Sequence, residues 1–235
     1  MPHDTANDAE LFGKTETHLC FLSEHIAIHK QMKPAFIALQ KAAHTQGFEL
    51  KIASGFRSFE RQLMLWNNKF SGKTVLKTAT GELLKPTGLS EYQLIKKILL
   101  YSALPGTSRH HWGTDIDVYA PNLLTENGQL HLEAWEYEEG GPFSKLSEWI
   151  TLHASDFGFY LPYAKFQGGV AFEPWHLSYA PVAEKYQQSF NIDRLSNVIK
   201  SSDIFGKKTI LENLDEIANR FINNVAVVPN NLFGP

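Results

Sequence analysis

The sequence is short of several things, and each shortage removes a class of protein. It holds one cysteine, Cys20, in 235 residues, so no intrachain disulfide framework braces it. With 22 basic against 25 acidic side chains its net charge is -3, which supplies no general basic footprint and argues against nucleic acid as a partner. No uninterrupted apolar run is long enough to span a bilayer, and no internal repeat or low-complexity tract interrupts the chain. The opening MPHDTANDAELFGKTETHL lacks the basic start and apolar stretch of a signal peptide. That gives an expectation of a cytoplasmic protein, or of a periplasmic or exported one if a leader has been removed. What remains is a globular composition, 43% hydrophobic and 20% charged, with length for one well-buried domain plus additions or for two small domains.

Chemistry-bearing side chains concentrate in Gly106 to Tyr119, GTSRHHWGTDIDVY. Ile116, Asp117 and Val118 read as a strand and Thr107 to Gly113 as the loop feeding it. A loop histidine, His110, and a strand aspartate, Asp117, then converge on one metal ion. Asp115 and Asp117 lie two apart and share one side of the strand, where paired carboxylates need a cation, a hydrogen-bond shell or water. The bland alternative is a polar turn with a solvated acid pair. A second segment, Gly168 to Tyr179, GGVAFEPWHLSY, carries Glu173 and His176 three residues apart around a proline. Pro174 biases Glu173 away from helical geometry, so this is not the helical H-E-x-x-H arrangement, although it supplies the same parts. His176 as third ligand and Glu173 as general base complete a site with three protein ligands and an open position for water.

These residues resemble the LAS-type zinc peptidases, the group that contains the VanY-type D-alanyl-D-alanine carboxypeptidases. Ser108, His110, Gly113 and Asp117 match S-x-H-x-x-G-x-A-x-D in register, and Glu173 with His176 match the downstream E-x-x-H. One departure stands out: Asp115 occupies the position where the family usually has alanine. Upstream, SGFRSFERQ at residues 54 to 62 is similar to the family's S-G-[FY]-R-S segment followed by a glutamine, so the resemblance spans about Gly47 to Tyr179. It implies one zinc ion held by His110, Asp117 and His176, with Glu173 activating a metal-bound water. It also implies that Arg57 stabilises the oxyanion and that Ser108 and Gln62 contact substrate. Read as plain sequence, Arg57 is a surface salt-bridge residue, Gln62 a solvated helix position and Ser108 a turn serine. Trp175 reads either as a cleft wall that touches substrate or as ordinary packing.

Taken in order, Leu11 to His18 is a polar, extended lead-in and His29 to Gly47 the first substantial helix. The histidines around it, His18, His25, His29 and His44, are expected at the surface or the helix edge. Phe48 to Ser54 alternates like a strand, and Ser58 caps a helix from Phe59 to Lys69. Lys73 to Gly88 reads as a hairpin at the cleft edge, Ser90 to Leu104 as a helix, and Pro121 to Gly141 as a strand pair or a lid, its acids either an acidic lip for an amine-bearing peptide or, on the blander reading, a solvated loop. His111, beside His110, is expected to point elsewhere. Phe143 to Phe157 reads as a mostly core-facing helix leading to a strand at Val170 to Phe172. Val182 to Ile199 and Thr209 to Asn223 read as amphipathic helices.

The expectation is an α+β fold with a small antiparallel sheet carrying the zinc site, surrounded by helices. Residues 1–181 form the peptidase domain and 182–235 a helical extension packed on it. The resemblance implies a peptidase of peptidoglycan peptides containing D-amino acids, a D,D- or L,D-carboxypeptidase. Two alternatives stay open, a non-catalytic peptide-binding module and an endopeptidase of the lytic type.

Overall fold

The computed structural model describes residues 7–76, 82–84, 87–229 and 232. A short helix α1 (Asp8–Leu11) precedes a two-stranded antiparallel ribbon, β1 (Leu19–Phe21) with β2 (Ala27–His29). The second sheet has four strands in the order β3 (Lys51–Ser54), β4 (Asp115–Tyr119), β6 (His176–Tyr179) and β5 (Phe159–Tyr160), all antiparallel. The helices are α2 (Lys33–Thr45), α3 (Phe59–Phe70), α4 (Glu91–Leu99), α5 (Ser144–His153), α6 (Ala180–Ser189), α7 (Ile192–Ser201), α8 (Lys207–Glu212) and α9 (Leu214–Ile217). No helix among the described residues is long and apolar enough to cross a membrane.

The alternation of a strand divides this sheet into two faces with different jobs. Ile116, Val118 and Leu177 point into a core with Phe36 and Leu39 of α2 and Leu146 and Ile150 of α5. Ile116, Val118, Leu39, Leu146 and Leu177 are fully buried, and each such side chain contributes about 1.5–3 kcal/mol. Asp115, Asp117, His176 and Ser178 alternate with them and therefore occupy the other face. That face is roofed by a second core in which Leu11, Trp66 and Ile98 pack with Tyr186, Leu195, Ile210 and Phe221. The C-terminal helices thus share a core with α1, α3 and α4.

Local chemistry sets the helix starts. The Ser58 hydroxyl accepts the Arg61 N–H to begin α3, and Ser90 with Gln93 forms a reciprocal capping box at α4. Several expected elements come out differently. Pro34, in the first turn of α2, helps set its start, and His29 belongs to β2 instead. The 182–199 helix is split because Asn191 caps a new one, accepting from Asp193 and Arg194 N–H. The stretch 209–223 breaks into α8, α9 and a π-turn over Ala218–Ile222. Residues 170–172 are irregular, and the strand is displaced to β6. Within Pro121 to Gly141 there is no strand among the described residues. Glu136 there is fully buried and its carboxylate accepts the backbone N–H groups of His131 and Glu133, so it is no part of an acidic lip. Leu152 on α5 is 70% exposed and not core-facing. The hairpin expected over Lys73 to Gly88 falls partly outside the described residues.

His18 and His29 correct the expectation of surface histidines: both are buried, their rings 5.5 Å apart beside Tyr186. Burial first, and the neighbouring His18 second, hold the His29 imidazole down to about 4 from its ordinary 6.5. Between those values the unfolded chain binds the extra proton, so stability rises with pH across that window. The contribution is fully present above pH 6.5 and is lost as pH falls through 4. Urea midpoints from pH 4 to 7 should therefore fall more steeply toward acid for the wild type than for His29→Asn, which keeps a capping acceptor. Parallel curves would contradict this.

Candidate metal centre

The centre begins with a cross-strand pair. Register places Asp117 of β4 directly opposite His176 of β6, on the face that looks away from the α2/α5 core. His110 arrives from the 3-10 turn Arg109–Trp112, which ends at Gly113 with φ +69°. A Cβ at Gly113 would lie 2.5 Å from Leu19 Cδ2 and 2.9 Å from the His29 N, so only glycine allows the loop to tuck against the β1–β2 ribbon. His110 Nδ1 donates to the Gly55 carbonyl at 2.9 Å, which leaves its Nε2 as the free donor atom. That Nε2 stands 3.5 Å from Asp117 Oδ2, and His176 Nδ1 stands 3.5 Å from Asp117 Oδ1.

These separations suit one ion. Two ligand atoms bound at 2.0–2.2 Å and at the tetrahedral angle sit about 3.3–3.6 Å apart. One ligand atom from each of the three residues lies within 4.8 Å of the others, and all three residues are buried. Asp117 Oδ1 is buried without a hydrogen-bond partner, an unmet requirement that a cation would meet. Burial alone would raise the Asp117 carboxyl, but His110 and His176 outweigh it and hold it below its ordinary value. For His176 burial would lower the imidazole, and hydrogen bonds to Asp115 and Glu173 outweigh this and push it up to about 10.

Glu173 owes its position to a turn and not to a strand. The His176 N–H donates to the Glu173 carbonyl at 3.1 Å across Pro174 and Trp175, so residues i and i+3 are brought side by side. Its Oε2 is 3.2 Å from His176 Nδ1. Arg57 comes from the junction of β3 and α3, where its N–H donates to the His110 carbonyl at 3.1 Å. Its guanidinium donates to Gln62 Oε1 at 3.0 Å and Ser54 Oγ at 3.2 Å. Burial lowers its pKa, the charges of Asp117 and Glu173 counter this, and an arginine remains protonated throughout. Lys69 lies in the same neighbourhood, pushed down to about 8 by burial and then by the Arg57 charge.

Arg57, Ser108, His110, Asp117, Glu173 and His176 line one cavity of about 230 Å³, and Trp175 contributes to its wall. Gln62 does not line it. It is fully buried behind Arg57, its amide donating to the Ala103 carbonyl at 2.6 Å, which makes it a brace for the guanidinium. His111 points away as expected: Nε2 accepts the Gly106 N–H and Nδ1 donates to the Arg57 carbonyl at 2.6 Å, with burial lowering it to about 3. Sequence reading missed Arg109 and the C-terminal residues Gln187, Phe190, Phe221 and Ile222, all of which line the cavity. Arg109 sits at an unspecified position of the motif, and the others come from helices whose packing no local pattern announces.

The fold and the site define a class: an α+β protein with three donors for one divalent ion, faced by a carboxylate and a guanidinium across a small cavity. The family model described as VanY, D-alanyl-D-alanine carboxypeptidase, matches residues 25–182, and the chain belongs to that family. A Haemophilus influenzae protein called uncharacterized is 40% identical over 121 residues, 51% of this chain and 92% of its own length. An Enterococcus faecalis D-alanyl-D-alanine carboxypeptidase is 24% identical, with 76% of this chain and 59% of that protein covered. Among solved structures, VanYB in complex with D-alanine-D-alanine shares the fold at TM-score 0.52 and 24% identity, covering 78% of this chain and 90% of its own. A mutant of the D,D-pentapeptidase VanY in complex with Zn(II) does so at TM-score 0.50 and 23% identity, covering 83% and 91%.

Proposed function

We propose that this protein is a zinc-dependent carboxypeptidase that removes a terminal D-amino acid from peptidoglycan-derived peptides. Family membership supports peptide hydrolysis, and the D-alanine-D-alanine bound by VanYB supports the substrate class. The observation that carries the reading is the Asp117–His176 cross-strand pair with His110 at donor spacing and Glu173 beside them.

His110 Nε2, one oxygen of Asp117 and His176 Nδ1 would hold the ion. Zinc bound there lowers the pKa of a coordinated water to about 7 and polarises a carbonyl. Glu173 takes the proton of the attacking water and returns it to the leaving amine, work for which a partly buried carboxylate beside the ion is suited. Arg57, charged and braced by Gln62 and Ser54, stabilises negative charge on the carbonyl oxygen. Ser108, on the cavity wall, contacts the peptide, and Trp175 shapes the wall next to it. The small cavity, closed in part by Phe190, Phe221 and Ile222, suits a peptide end better than a chain passing through.

Mass spectrometry of a muropeptide panel, digested with and without chelator, tests this. The expected result is loss of a single carboxyl-terminal residue from tetra- or pentapeptide stems, abolished by chelator, with the losing stem identifying the bond as L,D or D,D. Internal cleavage would establish the lytic alternative, and binding without turnover a peptide-binding module.

A further inference from the structure

Asp115 is the residue that departs from its family's alanine, and it makes no contact with the cavity. It is fully buried and does not line the 230 Å³ space that Asp117, two residues on, helps to line. Its carboxylate is saturated instead. Oδ1 accepts from Arg109 Nε at 2.7 Å and from His176 Nε2 at 3.0 Å, while Oδ2 accepts from the hydroxyls of Thr114 at 2.8 Å and Ser178 at 3.1 Å. Arg109 is itself held by Gln187 Oε1 at 2.7 Å, Tyr160 OH at 3.0 Å and Ser178 Oγ at 2.8 Å, with its guanidinium over the Trp112 ring.

We infer that Asp115, clamped by Arg109, is a positioning residue that fixes the tautomer and ring orientation of His176 toward the metal, an inference that rests on the zinc reading above. The geometry leaves little choice. An acceptor 3.0 Å from Nε2 keeps a proton on that nitrogen and turns Nδ1, the atom available to a metal, toward Asp117 and Glu173. Turning the ring over would replace Nε2 by a carbon opposite the carboxylate and forfeit the bond. The clamp spans β4, β6, β5 and, through Gln187, helix α6, so the C-terminal helices reach the ligand by three consecutive hydrogen bonds. Alanine at 115 would leave His176 Nε2 without this partner.

The direct variant, Asp115→Ala, strands the Arg109 charge in the interior and risks the fold. The paired variant Arg109→Met with Asp115→Ala removes both charges and avoids this. Zinc affinity is read by competition with a chromophoric chelator, on samples whose circular dichroism matches wild type, alongside the visible spectrum of the cobalt-loaded protein. The expected result is zinc binding weakened about 10–100-fold with an altered cobalt spectrum, and partial recovery in Arg109→Met with Asp115→Asn, whose amide oxygen again accepts from Nε2. Wild-type affinity and spectrum in the alanine pair would overturn the positioning role while leaving the zinc site standing. A wild-type protein that binds no zinc would overturn both.

Discussion

Replacing Glu173 by glutamine is expected to lower kcat by about 10³-fold while zinc content and fold stay as in the wild type. Glutamine keeps the shape and one acceptor oxygen, but it cannot take a proton. The turn that presents it is held by the backbone, through the Glu173 N–H to the Tyr163 carbonyl at 3.1 Å and the His176 N–H to the Glu173 carbonyl, and neither bond is touched by the change. Loss should appear in kcat more than in KM, because the group acts on the reacting water and not on the resting substrate. Steady-state kinetics on a D-alanyl-D-alanine-terminated peptide, with metal analysis of the same samples, checks it. A kcat within a few-fold of wild type would leave Glu173 as a structural neighbour of His176.

Removing the metal is expected to have an effect at least as large. Dialysis against chelator should bring hydrolysis to background, with added zinc restoring it in the wild type and not in His110→Ala. Two remaining donors, Asp117 and His176, give too few bonds for a three-ligand site. A thermal measure goes with it: zinc at 100 times its Kd stabilises the wild type by about 2.7 kcal/mol, and His110→Ala should show no such rise in Tm. Equal zinc-dependent stabilisation in that variant would place the ion elsewhere.

The three residues that come together in the candidate metal centre stand out in the sequence because their spacing is set by local geometry. A loop ending in a left-handed glycine, a strand with alternate acids and a proline turn each leave a short pattern. The meeting of these patterns was not legible: β4 and β6 are paired across a stretch of chain that includes α5, and only the register shows Asp117 opposite His176. Gln62 illustrates the limit well. Its position one turn into α3 was right, yet a polar residue at that spacing reads the same whether it faces substrate or supports Arg57 from behind. His18 and His29 were misread as surface residues because buried histidines have no periodic signature. Asp115 was noticed as a departure, but its partners Arg109 and Ser178, and Gln187 that holds Arg109, lie up to 78 positions from one another, and only the folded chain gathers them.

The most direct measurement is anomalous diffraction at the zinc edge from crystals of the zinc-loaded protein. It should show one peak about 2.0–2.2 Å from His110 Nε2, an Asp117 oxygen and His176 Nδ1, with Glu173 facing the open side. A peak elsewhere, or none at full occupancy of the protein with zinc, would contradict the assignment of these three side chains to a single ion.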